Sequence, residues 1–158
     1  MENFQSLASK QGYIVEEISD IRFVDAGFEI ADKKVDLGSV EVDRIYTNKN
    51  GISFYTTIKG SFRGKRPGIV RTDTLKKAVA EAFFIGKEGW GPVLLVTTHI
   101  PKRGRGAKML KIAEEELFFA IINIADSRDF LYWLANANVE ELIDYSTVYG
   151  TPLSFDSR

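Results

Sequence analysis

Two stretches in which Val, Ile, Tyr, Phe and Thr alternate with polar residues, SVEVDRIYTN and ISFYTTIKG, flank Lys49-Asn50-Gly51. The alternation predicts two β-strands, and the Asn-Gly dipeptide between them supplies the positive φ that a tight hairpin turn needs. Register then decides which side chains meet, because a slip of one residue turns a strand's side chains to the other face. A two-residue Asn50-Gly51 turn would pair Asp43 with Ile58, whereas a three-residue turn with a bulged glycine pairs Asp43 with Thr57 and Glu41 with Lys59. The second register is preferred. It gathers Glu41, Asp43, Thr57 and Lys59 on one face and leaves Val42, Phe54 and Ile58 on the other, giving the hairpin a working side and a core side.

The rest of the chain is read around this hairpin. Residues 2–11 predict a short helix with Phe4, Leu7 and Ala8 on one face and Gly12 as its stop. An acid in its first turn, Glu2, reads as a complement to the helix dipole. Residues 13–36 alternate in pieces and predict one or two strands, with a polar turn at Asp32-Lys33-Lys34. Asp20, Asp25, Asp32 and Asp36 lack compact ligand spacing and read as solvated loop charges. Thr72-Asp73 is expected to cap a helix whose apolar face is Leu75, Ala78, Val79, Ala82 and Phe83, with Lys76 and Lys77 toward its outer side. The continuous apolar run 92–99 predicts a buried central strand ending at His99. Residues 102–108 open a further helix through Met109, Leu110 and Ala113. The apolar run 117–125 is read as a strand, although its pattern also fits the end of that helix. A helix around 130–134, another opened by Asn138 with Glu141 in the capping-box position, and a turn-rich tail complete the chain. Trp90 and Trp133 lie in apolar contexts that suit core or interface better than base stacking.

Length and composition narrow the classes. A chain of 158 residues, 44% hydrophobic and 27% charged, is expected to form one domain over residues 1–158. No apolar stretch approaches the length that spans a bilayer and the first residues lack a signal-peptide pattern, so a cytoplasmic protein with no membrane association is expected. The absence of cysteine rules out disulfides, thiolate metal sites and a cysteine nucleophile, and a single histidine rules out a multi-histidine metal centre. The net charge of -1 conceals an asymmetry: from Lys59 to Lys111 there are 13 Lys or Arg against 3 Asp or Glu, and elsewhere 8 against 19. Such a split suggests a polyanion-binding face. Its candidates are Arg63, Lys65, Arg66 and Arg71 in one glycine-containing loop, Lys76 and Lys77 on the following helix, and Lys102, Arg103, Arg105 and Lys108 in a second loop that opens a helix, where phosphate is favoured and cations alone are not. Solvated loops and an ordinary amphipathic helix would account for the same letters. His99 is a further candidate, as a base or phosphate contact, although a lone histidine more often has a structural role.

A carboxylate on one strand facing a position-x-Lys pattern on the next, here Asp43 opposite Thr57-Ile58-Lys59, resembles the PD-(D/E)XK nucleases, the restriction-endonuclease-like superfamily. The order helix, three strands, helix, strand over about residues 2–125 resembles the αβββαβ core of that superfamily, leaving about 126–158 as a C-terminal helical extension. The resemblance implies an α/β fold with a central mixed sheet flanked by helices, DNA as partner, and hydrolysis of phosphodiester bonds with Mg2+ or Mn2+ as cofactor. It implies that Asp43 binds the metal and that Lys59 orients or polarises the attacking water. The chain departs from the motif at Thr57, where an acid is expected; a hydroxyl is a much weaker ligand for a hard cation. Glu41, on the same face as Asp43, is the substitute ligand this reading nominates, with Thr57 reaching the ion through its hydroxyl or a water. The expectation is therefore a Mg2+-dependent DNA endonuclease that Thr57 leaves weakened or silenced. Two alternatives stand beside it. One is a catalytically inactive nuclease-like protein that binds DNA or a partner subunit; the other is a small protein whose basic loops bind acidic protein or nucleotide. Cutting of both strands adds a two-fold homodimer to the expectations.

Overall fold

The computed structural model describes residues 4–62 and 66–155. Its elements are α1 (Phe4–Ala26), β1 (Glu29–Asp36), β2 (Glu41–Thr47), β3 (Ser53–Lys59), a 3-10 turn (Gly68–Val70), α2 (Thr72–Lys87), β4 (Val93–Thr97), α3 (Gly104–Glu116), β5 (Ala120–Asn123), α4 (Arg128–Asn136) and α5 (Val139–Tyr149). The strands make one sheet in the order β1-β2-β3-β4-β5, antiparallel from β1 to β3 and parallel from β3 to β5. The fold is α/β, a five-stranded mixed sheet flanked by helices. Among the described residues no helix is long and apolar enough to cross a membrane.

Period-two alternation sends the strand side chains into two cores. Phe54, Ile58, Leu94, Val96 and Ile122 pack with Val15 and Phe23 of α1, Leu131 and Leu134 of α4 and Leu142 of α5. Tyr55, Val93 and Leu95 pack with Leu75, Ala78, Ala82 and Ile85 of α2 and with Leu110 and Ala113 of α3. β4 has a strand on either side and helices over both faces, so all five of its residues are buried and its sequence is a continuous apolar run.

The hairpin adopts the three-residue turn. The Asn48 N–H donates to the Ile52 carbonyl at 2.9 Å, and Gly51, at φ 78°, donates to the Asn48 carbonyl at 3.0 Å. Arg44 lies opposite Thr56 and Tyr46 opposite Phe54, the register that carries Asp43 toward Thr57. Asn48 holds the turn from inside: its Oδ1 accepts from the N–H groups of Asn50 and Ile52, and its Nδ2 donates to the carbonyls of Leu134 and Ala137. One buried amide thus joins the hairpin tip to the link between α4 and α5. Val42 corrects part of the expected face, since it packs in the α2–α3 core while Phe54 and Ile58 lie in the other.

The segment before the hairpin differs most from expectation. A 23-residue helix runs through Gly12, where a stop was expected, and covers residues 13–26, where strands were expected. The polar triplet Asp32-Lys33-Lys34 lies within β1 and not in a turn. The cause is visible on α1. Its inward face carries Glu16 and Ser19 beside Val15 and Phe23, all buried, while Tyr13, Ile14, Ile21 and Val24 face outward. Polar residues inside and apolar residues outside erase the helical periodicity that would have announced it. Gly27 ends the helix at φ 118°: its N–H and that of Phe28 both reach the Phe23 carbonyl, and a Cβ there would strike the Lys49 side chain.

Smaller differences follow the same logic. Arg71 occupies the N-cap of α2 without a side-chain bond, in place of a cap at Thr72-Asp73, and Asp73 in the first turn complements the dipole. Ile85 is buried on α2 and Phe83 is turned outward. The strand expected over 117–125 is confined to Ala120–Asn123. The Asn138–Glu141 capping box forms as expected, and Trp90 and Trp133 pack against Tyr55 and against Phe130 with Tyr145.

Candidate functional site

The paired register of β2 and β3 runs no further than Arg44–Thr56. A continued ladder would give the Ile58 N–H to Val42; it donates instead to Oδ2 of Asp43 at 2.7 Å. Asp43 is 8% exposed and Thr57 is fully buried. The Thr57 hydroxyl stands 3.5 Å from the same Asp43 oxygen and donates to Oε2 of Glu81, on α2. Lys59, two residues along β3 and so on the same face as Thr57, donates to Oε1 of Glu81 at 2.9 Å. A hydroxyl has one proton to give, and Glu81 takes it. The helix therefore brings a carboxylate to the gap between Asp43 and Lys59.

Two further elements close on Asp43 from its other side. The Lys34 ammonium, from β1, lies 3.0 Å from Asp43 Oδ1 and also donates to Oε1 of Glu16, on α1. Burial disfavours the charge on Lys34, but the hydrogen bonds and charges of Glu16 and Asp43 outweigh it and hold its pKa above the ordinary lysine value. The cluster sets three carboxylates against two ammonium groups, an excess of one negative charge.

Behind the cluster lies a largely buried pair, whose acid, Asp20, is read from the sequence as a solvated loop charge. Asp20, one turn beyond Glu16 on α1, accepts from Nε and Nη2 of Arg44 at 2.8 and 3.1 Å and from the Tyr46 hydroxyl at 2.8 Å. The Tyr46 oxygen is also 2.9 Å from Ser19 Oγ. Burial raises the Asp20 pKa, but hydrogen bonds from Arg44 and Tyr46 and the charges of Arg44 and Lys33 overcome it and hold the carboxyl below the ordinary value. Burial pushes the Tyr46 phenol well above its ordinary pKa, keeping it a donor. The remaining Arg44 nitrogen, Nη1, donates to the Asp43 carbonyl at 2.7 Å. Arg44 thereby fixes the backbone from which the Asp43 carboxylate projects.

Asp43, Thr57 and Lys59 thus come together as read from the sequence, whereas Glu41 does not join them. It is exposed at the start of β2, opposite Asp36 of β1, and its side chain makes no hydrogen bond or ion pair to any described residue. Arg63, Lys65 and Glu2 lie outside the described residues. Arg66, Arg71, Lys76, Lys77, Lys102, Arg103, Arg105 and Lys108 are exposed, and none forms an ion pair with a described residue. The loops after β3 and β4 leave the same ends of two parallel strands and are joined there. The Ser61 N–H donates to Thr98 Oγ1 at 3.0 Å, and that hydroxyl donates to the Ser61 carbonyl at 2.8 Å. Gly68, at φ 60°, packs so closely that a Cβ would come within 2.8 Å of Thr97 Oγ1. His99 belongs to this joint, its Nδ1 2.9 Å from Thr98 Oγ1, and bonds to no side chain of the carboxylate cluster. The carboxyl ends of parallel strands are where α/β sheets most often bind ligands.

Glu16, Lys34 and Glu81 were missed by sequence reasoning. Glu81 had a signal: it is the one acid of α2 beyond the first turn and lies between Ala78, Ala82 and Ile85, on the edge of the buried face. Glu16 was hidden with its helix, and nothing in the local sequence marks Lys34. Comparison with family models, curated proteins and solved structures yields no match. Among the described residues no group of three or more acidic, histidine or cysteine side chains is placed to hold a metal ion. Mg2+ asks for less, since it is held by one or two carboxylates and keeps several waters. Asp43 and Glu81, hard oxygen donors on either side of the Thr57 hydroxyl, are the two carboxylates that would hold such an ion.

Proposed function

We propose that this chain is a Mg2+-dependent DNA endonuclease of the PD-(D/E)XK type in which the second carboxylate is carried by α2 instead of β3. The observation that carries the reading is the double hold on Glu81: Thr57 donates to one carboxylate oxygen and Lys59 to the other, beside Asp43. The order α1-β1-β2-β3-α2-β4 supports it. So does the exposed basic rim at the ends of β3 and β4, whose cations form no ion pair with a described residue and suit the phosphates of DNA. Asp43 and Glu81 would hold Mg2+ or Mn2+, which when bound supplies positive charge against the phosphate in the transition state. Lys59, fixed by Glu81, orients the attacking water by donating a hydrogen bond to it. Cutting both strands requires two such sites, which a two-fold homodimer provides, and a cytoplasmic setting is part of the same reading.

The test is cleavage and binding of plasmid and branched DNA with Mg2+ or Mn2+. Cleavage by the unchanged protein that is lost in Asp43→Ala and in Lys59→Ala is expected. Binding without cleavage would select the other reading, an inactive nuclease-like DNA-binding protein, which draws support from the cluster's carboxylates already having ammonium or hydroxyl partners. A protein that neither binds nor cleaves DNA would remove DNA from consideration. Within the same assay, Arg71→Ala and Lys102→Ala are each expected to weaken binding evenly across DNA sequences. Each should also reduce the slope of log affinity against log salt by about one, the signature of a lost phosphate contact. An unchanged slope would take that residue off the binding face.

A further inference from the structure

We infer that Lys34 is the resident counter-ion of this site, an ammonium that holds the place between Glu16 and Asp43 until a divalent cation displaces it. Lys34 would thereby set how much metal the protein needs. The inference rests on the reading of Asp43 as a metal ligand and adds to it a residue outside the carboxylate-x-lysine pattern. Three observations support it. The Lys34 ammonium touches Asp43 Oδ1 and Glu16 Oε1 at once, so it already neutralises the carboxylate that a metal ion would share with Glu81. The carboxylate side chains are only 11% and 12% exposed, and two buried like charges need a cation between them. Lys34 itself is 49% exposed and sits on β1, an edge strand, so its ammonium can swing out into solvent without disturbing either core. Its backbone agrees with a position chosen for placement over comfort. Lys34 has φ 50°, the only positive φ outside glycine among the described residues, where a side chain is seldom accommodated without reason.

A competitor has a definite thermodynamic consequence. A divalent cation held by Asp43 and Glu81 would share the Asp43 carboxylate with the ammonium and repel it, so removing the ammonium raises metal affinity, while removing a ligand lowers it. A residue that merely stabilises the fold would do neither selectively. Lys34→Met keeps most of the stem and removes the charge. Mn2+ binding to the DNA-free protein, followed by calorimetry, is expected to be about tenfold tighter in Lys34→Met than in the unchanged protein, within the usual range of coupling between sites. Asp43→Asn should abolish binding in both backgrounds. Equal or weaker Mn2+ binding in Lys34→Met, with Asp43-dependent binding intact in the unchanged protein, would overturn the inference and leave the metal reading standing. If no Asp43-dependent Mn2+ binding occurs in either protein, the metal reading fails and this inference with it. Should Lys34→Met fold poorly, the unchanged protein decides: acetylation of Lys34, read by mass spectrometry, should rise several-fold on adding Mg2+ while that of Lys111 stays constant. Unchanged labelling of Lys34 would reject displacement.

Discussion

Glu81→Gln is expected to reduce Mg2+-dependent cleavage by about 100- to 1,000-fold, the loss typical of deleting one group that acts on transition-state charge. DNA binding should hardly change. The more telling result concerns Thr57. If Glu81 fills the acidic place from α2, Thr57→Glu does not improve the enzyme. It inserts a fourth carboxylate into the cluster, at a fully buried position next to Asp43 and Glu81, and removes the hydroxyl that holds Glu81. Like charges so close cannot all stay ionised. Cleavage by Thr57→Glu is therefore expected to fall below that of the unchanged protein, and the double variant Thr57→Glu, Glu81→Thr to recover a large part of it, because the exchange returns one carboxylate and one hydroxyl to the site. Single-turnover cleavage of one DNA substrate by all four proteins checks this. A rise in activity for Thr57→Glu alone would mean that Glu81 does not serve as the acid and that Thr57 marks a silenced site.

What could be read from the chain beforehand divides along physical lines. The hairpin was legible because its information is local: Asn50-Gly51 specifies the turn, the turn specifies the register, and the register brings Asp43 to Thr57 and Lys59. β4 was legible because burial on both faces leaves an unbroken apolar run. α1 was not, because over residues 12–26 the helix buries an acid and a hydroxyl and exposes Tyr13, Ile14, Ile21 and Val24, so hydrophobic period and actual face disagree. The same fact explains why Glu16 and Asp20 went unread: a polar residue that faces the interior is indistinguishable, from sequence, from one that faces water. Glu81 and Lys34 are different again. They reach the site through packing between α2 and β3 and through pairing of β1 with β2; the place of Glu81 on the edge of the buried face of α2 is a local sign of such packing, whereas no local pattern marks Lys34. Glu41 shows the converse. It shares a strand face with Asp43 by periodicity, yet the hairpin arms part beside Asp43, and β1, not β3, is its neighbour.

Asp20→Asn is expected to destabilise the protein by about 3–5 kcal/mol, as when a buried ion pair loses one partner. Arg44, with its side chain only 6% exposed, keeps its charge and loses the carboxylate that binds two of its nitrogens, and Tyr46 faces a weaker acceptor. Urea unfolding at pH 7 measures the loss. The pH dependence has a definite sign. The folded-state pKa of Asp20 lies below its unfolded value of about 3.9, so its contribution is complete above that pH and is withdrawn as pH falls through the folded pKa. The stability gap between the two proteins should hence be constant from pH 7 to about 5 and should close progressively in the acid range below about 4. A gap that is the same at pH 3 as at pH 7 would mean that the Asp20 charge is not its source. Removing both partners separates stability from function. Asp20→Leu with Arg44→Met leaves no charge at this pair and is expected to recover most of the lost stability, as apolar replacement of buried pairs often does. It cannot restore the Arg44 hydrogen bond to the Asp43 carbonyl. A stable protein with lowered kcat and little change in KM is therefore expected, since Asp43 keeps its carboxylate but loses the support that aims it.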